Sequence, residues 1–304
     1  MKFNKIIFAA TLSLSLLLAA CGSNESSTKT KDNGSESNQA AKTEKIAKKI
    51  IAGSPLQDGT YTLTEKDFDD KGWKTTFEIT VKDGKITESN YNYVNADGKL
   101  KSEDKDYEEA MKAKSGVGPA EYIPELNKQL VSAQDASQVE VVSGATHSSE
   151  NFINYAQQLI QAAQKGDTTP IEIDAQGTLK DGEYSLSEKN LGSTGWKTYI
   201  KMTVSGGKIT TVDYNFLNKD GKLKTDDEDY EKTMTEKSGT GPQEYIPALS
   251  QSLIDKQSAA GVEVVSGATH SSHAFKMYAA QLINAAQKGD TTPIEVDNFV
   301  FEEE

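Results

Sequence analysis

Thr146 and Thr269 are the residues of this chain best placed to do chemistry. Each lies inside the segment Val-Glu-Val-Val-Ser-Gly-Ala-Thr-His-Ser-Ser, found at 139–149 and again at 262–272. In both copies a β-branched run and Ser-Gly-Ala-Thr lead directly into a strongly amphipathic stretch. That pattern predicts a hydroxyl at a helix N-terminus, where free backbone N–H groups and the positive end of the helix dipole favour a phosphate. Gly144 and Gly267 allow backbone conformations that a Cβ resists, so the chain can pass close to a bulky group. Ala145 and Ala268 add little bulk, and Ser143 and Ser266 complete the two motifs. A phosphate-bearing cofactor at each threonine is the first expectation. A single such tetrapeptide would read as a plain strand-to-helix turn; two copies in register, each after a valine pair and before a helix, favour the cofactor. His147 and His270 follow the threonines. Two readings stay open for them: donation to the phosphate or tuning of the cofactor, and simple exposure in the first helical turn.

Other candidate motifs carry less. Three His and one Cys in 304 residues leave no disulfide within the chain, no thiol pair and no basis for a metal site. Gly116-Val117-Gly118-Pro119 and Gly239-Thr240-Gly241-Pro242 lack the third glycine of a dinucleotide fingerprint, Glu121 and Glu244 standing there, and no βαβ unit precedes them. A loop beside a cofactor ring remains open for this segment, with Tyr122 and Tyr245 either stacking on the ring or packing in the core. Asn95-Ala96-Asp97-Gly98 reads as a turn, because Tyr93 and Phe216 occupy the first ligand position a calcium loop would need. Trp73 and Trp196 head strands and are expected in the core. Glu150 stands in copy one where His273 stands in copy two, so a carboxylate is expected to disfavour negative charge near the first site only.

The elements that must position these residues repeat with the same offset of 123 residues, without a gap from Asp58/Asp181 to Asp174/Asp297. That period is the size of a domain and far above that of a solenoid repeat. Within copy one, Gly59–Thr64 predicts a short strand. Residues 73–81 alternate, with Trp73, Thr75, Phe77, Ile79 and Val81 on one face, and Asp83-Gly84 turns the chain into a second strand at 85–94. Residues 103–114 predict a polar surface helix and 122–131 an amphipathic one. Residues 139–142 predict a short buried strand. A final helix follows Ser-Gly-Ala-Thr, burying Phe152, Ala156, Leu159, Ile160 and Ala163, with Gly166 as its stop signal. The expected fold class is α+β: two tandem domains, each an antiparallel β meander packed with helices, at 52–174 and 175–297, followed by an acidic tail at 298–304.

The start of the chain reads as a processing segment. Lys2 and Lys5 precede an apolar run, and Leu18-Ala19-Ala20-Cys21 resembles a bacterial lipobox; residues 1–20 would be removed and Cys21 would carry lipid. Residues 21–51 are polar and predict a flexible tether reaching roughly 30 Å. The net charge is −13 and no arginine occurs, which argues against nucleic acid and for contact with the membrane through lipid only.

Ser143-Gly144-Ala145-Thr146 and Ser266-Gly267-Ala268-Thr269 resemble the attachment motif of the FMN-binding domain family, over two units and the anchor. The resemblance implies that an ApbE-type flavin transferase joins FMN to Thr146 and Thr269 through a phosphoester. The family often has Asp six residues before the threonine, where Glu140 and Glu263 stand here. Two such domains behind a lipobox and a tether resemble the lipid-anchored flavoproteins of extracellular electron transfer in Gram-positive bacteria. This implies an electron carrier rather than an enzyme, on the outer face of the cell membrane. It would take electrons from a quinol-oxidising membrane pathway and pass them to ferric iron or free flavins. The alternative is a non-redox lipoprotein that binds wall components or peptides, or whose signal segment is released as a pheromone-like peptide.

Overall fold

The computed structural model describes residues 54–297. The signal segment, Cys21, the whole of the tether and the acidic tail lie outside the described residues. Two copies of one α+β unit follow each other in the chain. In the first, β1 (Gly59–Glu65), β2 (Lys74–Lys82) and β3 (Lys85–Val94) form the expected meander. The sheet order is β3-β2-β1-β4. Thr75, Phe77, Ile79 and Val81 all face inward along β2, because strict alternation gives one buried face. Asp83 and Gly84 both take left-handed φ at the hairpin, and Asp58 accepts a hydrogen bond from the Gly84 N–H at 3.0 Å. That bond lowers the Asp58 pKa from the usual carboxylate value.

Three helices complete the unit: α1 (Lys105–Ser115), α2 (Pro119–Ala133) and α3 (Thr146–Lys165). None of the α1 residues is buried, as its polar sequence predicts. Helix α2 covers the free edge of β3. Asn127 accepts from the Tyr91 N–H at 2.8 Å and donates to the Tyr91 carbonyl at 3.1 Å. Gln134 does the same for Ile86, at 2.7 and 2.8 Å. These side chains satisfy a strand edge that would otherwise invite foreign strands. Helix α3 buries Phe152, Ala156, Leu159 and Ala163 completely, and Phe152 packs against Phe77 and Tyr91 at 4.8 and 5.0 Å between ring centres.

Two local expectations are corrected. Residues 139–142 form no strand: Val139 is buried, but Val141 is exposed and the Val142 N–H is taken by the Ser149 hydroxyl at 3.1 Å. After α3 a further strand, β4 (Ile171–Ile173), joins β1 in parallel, so the meander gains a fourth strand that runs with β1 rather than against it.

The second copy repeats the plan with β5 (Gly182–Glu188), β6 (Lys197–Ser205), β7 (Lys208–Leu217), α4 (Glu228–Ser238), α5 (Pro242–Lys256), α6 (Thr269–Lys288) and β8 (Ile294–Val296). The copies meet along α3 and α6. Ile153 of α3 packs against the second core, and Lys276 of α6 pairs with Glu150 of α3 at 3.1 Å. Further along, Gln158 and Gln161 share a cavity with Gln281 and Asn284, so this seam is largely polar.

Candidate functional site

Ser-Gly-Ala-Thr forms a tight turn that ends on the first residue of α3. Gly144 has φ +82°, and a Cβ there would lie 2.2 Å from the Ser115 carbonyl oxygen at the end of α1. Gly267 repeats this at φ +77° and 2.2 Å from the Ser238 oxygen. The Gly-rich segment after α1 thus packs directly on the motif. It is not a phosphate loop: Glu108 accepts from the Ala120 N–H at 2.9 Å and Glu231 from the Gln243 N–H at 2.9 Å, so carboxylates already occupy the starts of α2 and α5. The turn is locked by Ser149, whose hydroxyl accepts from the Val142 N–H and donates to the Ala145 carbonyl at 3.0 Å. Ser272 does the same in copy two. Both serines are fully buried, and their place three residues after the threonine is a signal that sequence reasoning passed over.

Thr146 and Thr269 are the first helical residues of α3 and α6, both exposed. The preceding Ala145 and Ala268 are buried and supply no capping side chain. The first-turn N–H groups therefore look toward the threonine hydroxyl side without a side-chain acceptor, the arrangement that suits a phosphate. His147 and His270 are exposed in the first turn, as are Ser143 and Ser266 at the turn's start.

From Thr146 a cavity of about 740 Å³ runs inward past Ser148, Tyr122, Tyr107, Tyr93, Lys101 and Glu65. Its volume falls in the ~300–1,000 Å³ range of small-molecule and cofactor sites. The second copy contributes one wall, from Gln257–Ala260 and α6. The space beside Thr269 is about 170 Å³, and Ser137 and Gln138 of the first copy border it. Each threonine thus faces the other copy. The volumes differ where copy two carries Ala274 and Met277 against Asn151 and Asn154 in copy one.

The inner end of the first cavity holds groups absent from the sequence-based candidates. Glu65 is buried, accepting from the Thr75 N–H and the Tyr155 hydroxyl, both at 2.7 Å. Lys101, 6% exposed, lies between Tyr93 and Tyr107, each 4.3 Å from its ammonium. Lys224 repeats this over Phe216 and Tyr230. Tyr122 is a core residue whose hydroxyl reaches the cavity and accepts from Ser148 at 3.4 Å. Tyr91 donates to Tyr93 at 2.6 Å. In copy two Phe216 replaces Tyr93, and the buried Tyr214 and Tyr245 hydroxyls have no hydrogen-bond partner. Ser271, the counterpart of Ser148, lies beside Tyr245. Trp73 and Trp196 are core residues, as expected, with edge contacts to Tyr107 and Tyr230. Asn95 accepts from the Asp97 and Lys99 N–H groups, which is a turn and not a cation loop. Glu150, expected to place a carboxylate near Thr146, pairs with Lys276 at 3.1 Å and lies close enough to His273 to influence its charge.

Burial pushes the Lys224 pKa down to about 8. The folded value lies below the unfolded one, so holding the charge costs stability at neutral pH. That cost fades as pH rises from about 8 to the ordinary lysine range. A shift of this size corresponds to about 3 kcal/mol, partly offset by ~0.5–2 kcal/mol of cation–π attraction. Lys224→Met in flavin-free protein is therefore expected to be more stable than wild type by about 1–2 kcal/mol at pH 7. The gap should close by pH 10. Denaturant midpoints at the two pH values check this; a destabilised variant at pH 7 would contradict it.

Residues 71–161 and 195–284 each match the sequence profile of the FMN-binding domain. Together they make up more than half of the 304 residues, and this chain belongs to the FMN-binding domain family, in two copies. It is 39% identical over 118 residues to the 15 kDa lipoprotein of Treponema pallidum (strain Nichols), a match covering 39% of this chain and 84% of that protein. A crystal structure of a Clostridium perfringens protein is 43% identical, covering 39% of this chain and 98% of that one, with a TM-score of 0.38. A solution structure from Clostridium thermocellum is 29% identical, covering 36% and 92%, with a TM-score of 0.25.

Proposed function

We propose that this chain is a lipid-anchored electron carrier with two FMN groups, esterified through phosphate to Thr146 and Thr269. The observation that carries the reading is the pair of exposed threonines at uncapped helix starts, the first opening on a cavity of about 740 Å³. The residues fit the group: Gly144 brings the backbone close, Ser149 fixes the turn, and Lys114 lines the same cavity as Thr146. The bound flavin would supply the redox chemistry, accepting and releasing electrons. The protein's part is to hold the ring through a covalent link, to wall it with aromatic side chains and to keep its edge within reach of donors and acceptors. A covalent link suits an exported protein, from which a dissociated flavin would be lost.

An ApbE-type flavin transferase would install the groups. Electrons would arrive from a quinol-oxidising membrane pathway and leave to acceptors such as ferric iron or free flavins, on the outer face of the cell membrane. The lipobox at Cys21 supports that location, as does the likeness to a bacterial lipoprotein. Among the described residues no helix is long and apolar enough to cross a membrane. The test is intact mass together with visible absorption of protein made with its transferase. The expected result is a yellow chromophore that survives denaturation and a mass gain of two FMN-minus-water increments beyond the lipid. A colourless protein without added mass would favour the non-redox lipoprotein.

Anchoring is expected to depend on Cys21. Stable attachment takes two lipid chains, which lipoprotein processing supplies at one cysteine. Cys21→Ala should release the protein to the medium or leave it unprocessed; a processed variant retained at the membrane would overturn the anchor.

A further inference from the structure

The Lys101 ammonium is buried and forms no ion pair among the described residues. It also makes no hydrogen bond among them; its contacts are the rings of Tyr93 and Tyr107 at 4.3 Å and Trp73 at 5.6 Å. Glu65 also borders the cavity, but both its oxygens are taken by Thr75 and Tyr155. Buried lysines are rare without a partner, because the charge loses its hydration. In the second copy Lys224 lies over Phe216, Tyr230 and Trp196, and there the buried Glu188 carboxylate is close enough to act on its charge. A fold with no use for the Lys101 charge would be more stable with methionine in its place.

Lys101 and Thr146 line the same cavity. A cavity lined by Tyr93, Tyr107 and Tyr122 together with Thr146 and Lys101 fits a planar ring system tethered by its phosphate, with an electron-rich edge turned to the ammonium. The carbonyl and nitrogen edge of a flavin becomes more negative on reduction, and near neutral pH the fully reduced ring is largely an anion. We propose that Lys101 is a cofactor-binding cation that contacts this edge of the flavin and favours its reduced form. Three N–H donors on a flexible stem suit such an edge, and the aromatic cage holds the ammonium in place. The inference rests on the reading that FMN is attached at Thr146 and Thr269.

The test uses full-length protein carrying one flavin. In the Thr269→Ala background, mass first establishes that the flavin on Thr146 is present with and without Lys101→Met. Potentiometric titration then reads that flavin alone. Lys101→Met is expected to weaken the preference for the reduced form at least tenfold, a fall of about 30 mV or more for a two-electron couple. Lys101→Arg, which keeps the charge, is expected to restore most of that fall. Lys101→Gln in the same background should lower the potential likewise, and decides the matter if Lys101→Met does not fold. A flavin present in full with an unchanged potential overturns the role of the lysine and leaves the attachment reading intact. Absence of flavin from the wild-type protein overturns both.

Discussion

Protein in which Thr146 and Thr269 are both replaced by alanine is expected to carry no covalent flavin, where wild type carries two. Each single variant should lose one FMN increment and keep the other. The expectation rests on which hydroxyls the turn leaves available. Ser149 and Ser272 are fully buried and bonded to the backbone of their own turns. Ser148 is directed to Tyr122. Ser143 and Ser266 are exposed but precede the left-handed glycine, on the far side of the turn from the helix start. Only the threonines set a free hydroxyl at the first helical residue, where the helix start would stabilise the phosphate they receive. Alanine is a good helix former and adds no bulk there, so both variants should melt within about 1 kcal/mol of wild type without cofactor. Thr→Ser keeps the hydroxyl and should retain part of the label. Intact mass before and after denaturation counts the increments. Two increments on the double variant would remove these residues from the assignment and point to a neighbouring serine.

Much of this site is legible in the sequence, and the part that is not has a physical reason. Strict alternation from Trp73 to Val81, followed by Asp83-Gly84, fixes both the strand and its register, because a one-residue slip would turn Phe77 and Ile79 to solvent. The helix that carries each threonine announces itself through the spacing of Phe152, Ala156, Leu159 and Ala163. The valines before the motif mislead, since β-branched residues suggest a strand although no neighbouring strand is there to pair with them. Strand β4 escapes notice because three residues carry no periodicity, and its partner β1 is more than a hundred residues away in the chain. Lys101 and Glu65 are missed for a different reason. Charged residues are read as solvated by default, and only the fold reveals that three aromatic rings from separate elements close around Lys101. Glu150 shows the reverse limit of a sequence: as a difference between copies it is visible, but its pairing with Lys276, from the other copy, is not.

Gly144→Ala is expected to disable the first site while leaving the second intact. Two costs add at this position. An L-residue held at φ +82° is strained by about 1–2 kcal/mol. The new methyl would also sit 2.2 Å from the Ser115 carbonyl oxygen and 3.1 Å from Val117 Cγ1. A backbone oxygen at the end of α1 cannot swing aside as a long side chain would, so α1 and the turn before α3 must separate. The combined cost should be on the order of 3 kcal/mol or more, a large share of the ~5–15 kcal/mol that holds a domain together. Gly98→Ala isolates the first cost, for Gly98 has φ +79° and nothing within 4 Å of its added Cβ. Gly98→Ala should therefore lose only about 1–2 kcal/mol and keep both flavins. Gly144→Ala should lose more stability than that and carry a single FMN increment, on Thr269, with Thr146 unmodified in peptide mass spectra. Denaturant unfolding and intact mass on the two variants, side by side, check the argument. If Gly144→Ala matches Gly98→Ala in stability and keeps both flavins, close packing of the motif against α1 is not what shapes the attachment turn.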